Sequence, residues 1–309
     1  MKAIRIHEFG SADVLKLEDV PVPTPATDEV LIKVYASGVN PIDWKIREGG
    51  YGGKFPIKLP LTPGWDVAGV IEQAGENVKI LHKGDEVYSR PDPTRDGTYA
   101  EYVVVKADQV ALKPKSIPFD HAAGVPLAGL TAWQGLFQYG QLQRGQTVLI
   151  HGASGGVGSY AVQFAKWKGA YVIGTASADN LDFVKSLGAD KVIDYEKEKF
   201  EDVAKNVDLV FDMQGGDTQR RSIAVLKPGG RLITTVMPKF GAEAEAKNIH
   251  LEGFMAKSNP QDLGQIARLI DEGKVKPMIS RIFPLAQARE AQEMAEHGHV
   301  KGKVVIKVV

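Results

Sequence analysis

The chain changes its hydrophobic rhythm near Asp120. Before that point, short β-branched or alternating runs at Lys2–His7, Val30–Val39, Val67–Ala74, Glu86–Tyr88 and Tyr99–Val105 predict strands. Glycine and proline separate them, in PVPTP at 21–25, GGYGG at 49–53, PLTPG at 60–64 and KGD at 83–85. Strands this close together, with no helices between them, predict a barrel-like antiparallel domain over residues 1–121.

Beyond Asp120, apolar residues fall at helical spacing from His121 to Tyr139 (Ala122, Val125, Pro126, Leu130, Trp133, Leu136, Phe137). A strict alternation follows. Strand Thr147–His151 leads to helix Gly156–Gly169, and strand Ala170–Ala176 to helix Asn180–Leu187. Strand Lys191–Ile193 leads to helix Phe200–Ala204, strand Val207–Met213 to helix Thr218–Leu226, and strand Arg231–Val236 closes the series. Repeated βα units predict a parallel sheet with helices on both faces, over residues 122–259. The rest, residues 260–309, holds an amphipathic helix (Leu263, Ile266, Ala267, Ile270), strand Met278–Phe283, helix Ala286–Glu296 and strand Lys303–Val309. It is too small to fold alone and is expected to return to the N-terminal domain. The cleft between the two domains is then the expected ligand site.

Composition narrows the function. The 309 residues leave room for two domains of ordinary size. Lys+Arg and Asp+Glu are both 38, so the basic footprint of a nucleic-acid or polybasic membrane binder is missing. The chain has no cysteine, which excludes disulfides, thiol nucleophiles and cysteine-based zinc or iron–sulfur sites. No stretch approaches the roughly 18 apolar residues of a membrane span. The opening MKAIRIHEFG alternates and carries charge, so it reads as a strand and not a signal peptide. A cytoplasmic protein is the expectation.

The first βα step reads TVLIHGASGGVGSYAVQFAKWKGA. Gly152, Gly155 and Gly158 recur at every third position, with Gly156 beside them. Glycine permits a tight turn and close backbone approach to a pyrophosphate, and the free N–H groups opening the helix add partial positive charge. Ser154 can donate one more hydrogen bond, with Gly155, Gly156 and Val157 supplying backbone. The alternative is a tight turn without a ligand; the strand before, the helix after and the second strand favour a dinucleotide site. That second strand ends Gly174-Thr175-Ala176-Ser177. An NAD site places Asp or Glu there for the ribose 2′-hydroxyl, whereas this chain has Ala176. Nothing there repels a 2′-phosphate and Ser177 can bond one, so NADPH is the expected cofactor, with Gly174 and Ser177 as contacts. More simply, Ser177 or Asp179 caps the next helix.

The chain resembles the medium-chain dehydrogenase/reductase superfamily, in its quinone-oxidoreductase and enone-reductase branch. The resemblance is carried by Ser37-Gly38-Val39-Asn40-Pro41-Ile42-Asp43, Pro63-Gly64-Trp65-Asp66-Val67-Ala68-Gly69, Leu127-Ala128-Gly129-Leu130-Thr131-Ala132-Trp133 and the glycine turn, across nearly the whole length. It implies an α/β fold: a Rossmann-type parallel-sheet nucleotide domain plus a chaperonin-10-like β-barrel catalytic domain. It also implies NADPH as hydride donor and a homodimer or homotetramer. Zinc-bearing relatives carry Cys where this chain has Asn40 and His-Glu where it has Trp65-Asp66, and their four-cysteine lobe is absent. A catalytic zinc needs three His, Cys or carboxylate ligands. Asp43 and Asp66 alone do not make that set, and the seven histidines are scattered. No metal is expected.

Without a strong Lewis acid, hydride addition to a quinone or an activated C=C is favoured, because the acceptor spreads its charge onto a distant oxygen. The expected function is therefore NADPH-dependent reduction of a small quinone or enone. An enoyl-thioester reductase and an NADPH-binding sensor with little turnover stay open as alternatives. The matched motifs offer Asn40, as a hydrogen-bond donor to nicotinamide ribose or substrate or equally as an Asn-Pro turn residue. They offer Asp43 with Lys45, to orient Asn40 or relay a proton, or as a surface ion pair. Tyr51, on the glycine-rich loop Gly49–Gly53, is a candidate lid residue or a plain loop aromatic. The resemblance further implies cofactor contacts at Thr131, at Tyr195 beside the adenosine phosphate, and at Val236 and Phe254 in Thr235–Pro238 and Glu252–Met255. Trp44 and Trp65 are either apolar walls or core.

Overall fold

A computed structural model of the chain describes residues 1–50, 57–298 and 300–309. It divides into two compact units. Unit 1 comprises Met1–Ala128, Ser258–Gly273 and Pro277–Val309; unit 2 comprises Gly129–Lys257 and Lys274–Lys276. Residues 122–128 and 258–259 thus fall in unit 1, and 274–276 in unit 2, which differs from the expected boundaries. One reason is local: the Leu127 N–H donates to the Asp66 carboxylate at 2.7 Å, which ties this stretch to unit 1.

In unit 1, β1 (Lys2–Arg5) and β2 (Lys16–Asp19) form an antiparallel hairpin. β3 (Glu29–Gly38) pairs antiparallel with β4 (Val67–Ala74), and β4 with β5 (Glu86–Ser89). β6 (Tyr102–Lys106) lies on β3, and β7 (Val110–Leu112) on β5. Alternation puts Val30, Ile32 and Val34 of β3 into a core with Val67, Ile71, Val87 and Val103. The short β2 and β7 were not foreseen: β2 is mostly charged and exposed, and β7 has only three residues. Nor was α1 (Pro41–Arg47): a turn was one of two readings of Asn40-Pro41, and proline at the first helical position starts this helix.

Unit 2 carries six parallel strands in the order β10-β9-β8-β11-β12-β13. They are β8 (Thr147–Ile150), β9 (Tyr171–Ala176), β10 (Lys191–Asp194), β11 (Val207–Asp212), β12 (Leu226–Thr234) and β13 (His250–Gly253). Three expectations need correction. The helix expected over Thr218–Leu226 is Gly216–Ser222, because β12 already begins at Leu226. The series also does not close at Val236: β13 adds an edge strand, half-exposed and too polar to show a strand pattern. The helical run from His121 is likewise broken, into Phe119–Ala123, α2 (Pro126–Trp133) and a π-helical stretch Gln134–Tyr139. After the glycine turn runs α3 (Gly156–Lys168).

The last segment of unit 1 holds α4 (Pro260–Asp271), β14 (Ile279–Pro284), α5 (Ala288–Glu296) and β15 (Lys303–Lys307). β15 pairs parallel with β14 and antiparallel with the end of β3, where Val305 faces Gly38. This pairing delivers Lys303 to Asn40. No described helix is long and apolar enough to cross a membrane.

Candidate active site

The glycine turn of unit 2 is built almost wholly from backbone. β8 lies between β9 and β11, so its C-terminal end is fixed from both sides. Gly152 adopts φ 70°, in the left-handed region that favours glycine. A Cβ on Gly158 would stand 2.1 Å from the Gly152 carbonyl oxygen, so only glycine lets α3 close against the turn. No side chain caps α3, whose first N–H groups are left for a ligand. Ser154, Gly155, Gly156 and Val157 are half-buried along this opening. Diphosphate fits it: the cradle is shaped by absent Cβ atoms and lined by amide hydrogens.

Two buried polar side chains stand at the ends of β8 and β11, the neighbouring strands behind the turn. His151 stands between Thr175 Oγ1 at 3.2 Å and Ser222 Oγ at 2.9 Å. Burial pushes its imidazole down to about 4, so it is neutral at ordinary pH. Asp212, at the end of β11, accepts from the Gln214 and Gly215 N–H groups at 2.9 and 3.0 Å. Neither residue was foreseen as part of the site; each has the look of ordinary strand-end polarity in the sequence.

The other cofactor candidates divide. Ala176 is buried at the end of β9, and Ser177 Oγ accepts from Asn180 Nδ2 at 2.9 Å. Tyr195 follows β10, donates its N–H to Ala176 O at 3.3 Å and is 56% exposed, so Ser177 and Tyr195 share one end of two adjacent strands. Val236 N–H donates to Thr234 Oγ1 at 3.2 Å. The Phe254 ring stacks on Tyr139 at 4.5 Å, which leaves backbone as its natural ligand contact. Thr131 is buried on α2. Gly174 is buried within β9, where a Cβ would meet Ala153 Cβ and Val184 Cγ1 at 2.9 Å, so its missing side chain lets β9 pack against the turn residue Ala153.

Unit 1 offers a contrasting site made of buried side chains. Asn40 opens α1 and is 3% exposed. Its Nδ2 donates to Asp66 Oδ2 at 2.7 Å, and its Oδ1 accepts from Lys303 Nζ at 2.5 Å. Lys303 also donates to Val39 O at 2.6 Å and stands 3.7 Å from Asp66 Oδ2. Both ends of the Asn40 carboxamide are therefore engaged within the unit, which changes its part from ligand donor to fixed scaffold. Asp43 is fully buried and accepts from Asn40 N–H and Tyr99 O–H, each at 2.8 Å. Lys45 is exposed, so the surface ion pair of Asp43 with Lys45 does not hold. Burial raises the Asp43 carboxyl to about 7 and that of Asp66 to about 6, against the opposing pull of hydrogen bonds and Lys303. Trp65 is core, packed with Ile6, Ile42, Ile46 and Leu61. Tyr51 lies outside the described residues.

Among the described residues no three His, Cys, Asp or Glu side chains stand together as metal ligands. The buried carboxylates Asp43 and Asp66 already face an ammonium, from Lys303. A divalent ion does not fit that donor set.

Two family models match. One described as alcohol dehydrogenase GroES-like domain covers residues 26–115, and one described as zinc-binding dehydrogenase covers residues 187–306. The NADPH-dependent alkenal/one oxidoreductase, chloroplastic, of Arabidopsis thaliana is 39% identical over 99% of this chain and 79% of its own length. The 2-methylene-furan-3-one reductase of Solanum lycopersicum is 39% identical with the same coverage. The solved quinone oxidoreductase from Coxiella burnetii is 40% identical, with a TM-score of 0.93 over 100% of this chain and 99% of its own. Fold, motifs and relatives agree, and the chain belongs to the medium-chain dehydrogenase/reductase superfamily as an oxidoreductase.

Proposed function

We propose that this protein is an NADPH-dependent reductase that delivers hydride to a quinone or to the activated C=C of an α,β-unsaturated carbonyl compound, without a metal. The observation that carries this reading is the uncapped glycine turn at the head of α3, beside a strand that ends in Ala176 and not in a carboxylate. The names of the relatives support it, since they specify NADPH, an alkenal or alkenone, a methylene-furanone and a quinone.

Ser154, Gly155, Gly156 and Val157 hold the diphosphate, and Ser177 and Tyr195 flank the 2′-phosphate. Thr131, with the backbone at Val236 and Phe254, receives the nicotinamide end. The cofactor, when bound, supplies the hydride. The chain contributes placement and electrostatics. Asn40 is a positioning residue, clamped between Lys303 and Asp66 at the start of α1. The acceptor takes hydride at its electron-poor carbon and a proton to complete the reduction. Asp43, raised to about 7, is the group of this cluster able to hold a proton near neutrality.

The test is a screen of NADPH and NADH oxidation over quinones, short enals and ring enones, with and without chelator. Faster turnover with NADPH, unaffected by chelator, is expected. Equal or better use of NADH overturns the cofactor assignment, and inhibition by chelator overturns the metal-free mechanism. Tight NADPH binding without turnover across the panel favours a sensor.

A further inference from the structure

Two arginines are buried in unit 1, and they differ in one respect. Arg47 is 1% exposed and its guanidinium is fully engaged, by Gly10 O, Gln292 Oε1, Glu48 and Glu296. Arg90 is 7% exposed and is not. Its Nε is buried without a hydrogen-bond partner. Its Nη1 makes one long contact, 3.4 Å to Ser258 Oγ, a hydroxyl that itself donates to the Arg90 carbonyl at 2.5 Å.

The acidic neighbours do not resolve this. Register pairs Ser89 with Val67, so Arg90 stands across the sheet from Asp66. The Asp66 oxygens are already taken by Asn40 Nδ2 and the Leu127 N–H. Asp92 Oδ1 is taken by the N–H and hydroxyl of Thr94. Burial lowers the Arg90 pKa, and the two carboxylates act on it only from a distance. A guanidinium stays charged in a protein, and a buried charge without an opposite partner is costly. Such a group points to an anion that arrives with a ligand.

We infer that Arg90 recognises an oxyanion carried by the acceptor, so that the substrate class is an unsaturated carbonyl compound bearing a carboxylate. The inference rests on the reductase reading above. The planar fork matches a carboxylate or a phosphate with two parallel hydrogen bonds. The cofactor diphosphate is assigned to the glycine turn of unit 2, so the anion at Arg90 falls to the acceptor. Arg90 also borders the cluster of Asp66 and Asn40, the residue whose motif offers a contact to nicotinamide ribose or substrate.

The test uses the whole protein with NADPH, acetylacrylate and its methyl ester as matched acceptors, and the variants Arg90→Gln and Arg90→Lys. Arg90→Gln is expected to raise the KM for acetylacrylate roughly 30-fold or more, as for a lost buried charge pair, with KM for the ester and for NADPH unchanged. Arg90→Lys falls between, since it keeps the charge and loses the fork. Arg90→Gln should also lose little melting temperature, because it gives up one long hydrogen bond and only unbonded attraction to Asp66 and Asp92. Four results overturn the inference: equal losses on acid and ester, a rise confined to the KM for NADPH, unchanged kinetics on the acid, or a lower melting temperature with uniform loss of activity. A wild-type protein that reduces the ester and quinones but not the acid sinks the inference and leaves the reductase reading standing. Failure on every acceptor sinks the reading and the inference with it.

Discussion

The two units solve the same problem, holding polar groups in a fixed geometry, by opposite means. In unit 2 the glycine turn uses backbone amides brought together within about one strand and one helix turn, and its specificity lies in what is missing, the Cβ atoms of Gly152 and Gly158. In unit 1 the cluster uses charged side chains far apart in the chain: Lys303 and Asn40 are 263 residues apart. A backbone site of this kind is cheap to desolvate, because each amide is a neutral dipole. A side-chain cluster must offset the burial of whole charges, and Asp43 and Asp66 respond with carboxyls raised to about 7 and about 6. The comparison teaches that unit 1 depends on completeness of its network, and unit 2 on absence of atoms.

The largest effect expected from this contrast is at Lys303. Lys303→Met leaves Asp66 and the Asn40 carbonyl without their cation, and should destabilise by about 3–5 kcal/mol in denaturant unfolding. Adding Asp66→Asn should return much of that loss, because the pair is then removed together. A Lys303→Met protein as stable as the wild type would show that the cluster is not a charge network at all.

A smaller loss is expected in unit 2. Gly158→Ala places a Cβ 2.1 Å from the Gly152 oxygen, and the backbone must shift at about 1–3 kcal/mol. NADPH affinity, followed by fluorescence titration, should fall further than stability alone explains. Gly264→Ala is the control, on an exposed helical position where nothing lies within 4 Å. It should leave NADPH binding unchanged and raise stability slightly. Equal effects from the two substitutions would remove the special status of the turn.

The subtlest effect is one of pH. The Asp43 carboxyl moves from 3.8 to about 7 on folding, so the folded protein holds this proton more tightly than the unfolded chain. Its contribution is fully present below about 4 and is lost as pH rises through about 7. Asp43→Asn removes that dependence. Its melting temperature should therefore gain on the wild type between about pH 4 and about pH 7, the window set by that shift. A difference that stays constant with pH would mean that Asp43 remains ionised in the folded protein.

The sequence legibly reported the elements whose periods are long. The βα alternation from Thr147 onward and the glycine spacing of the turn are local patterns, and the structure places them as a parallel sheet with a glycine-shaped opening. It was silent on β2 and β13, which are four residues long and partly polar, and on β7, which is three residues long. It did not show that Gly174 makes room for Ala153 and Val184, since a glycine needed for packing looks the same in one dimension as one that faces a ligand. It left Asn40 open between a ligand donor and an Asn-Pro turn residue, and did not show that the pair starts α1.

By itself, then, the sequence determined what short-range physics can specify: strand and helix periods, the positions that must lack a Cβ, and the absence of cysteine ligands. Tertiary structure decided which charged groups are buried together. Lys303 reaches Asn40 only because β15 pairs with the end of β3, and Arg90 faces Asp66 only through the register of β4 and β5. No local pattern records such a meeting, because charge and solvation energies depend on distances in space and not on separation along the chain.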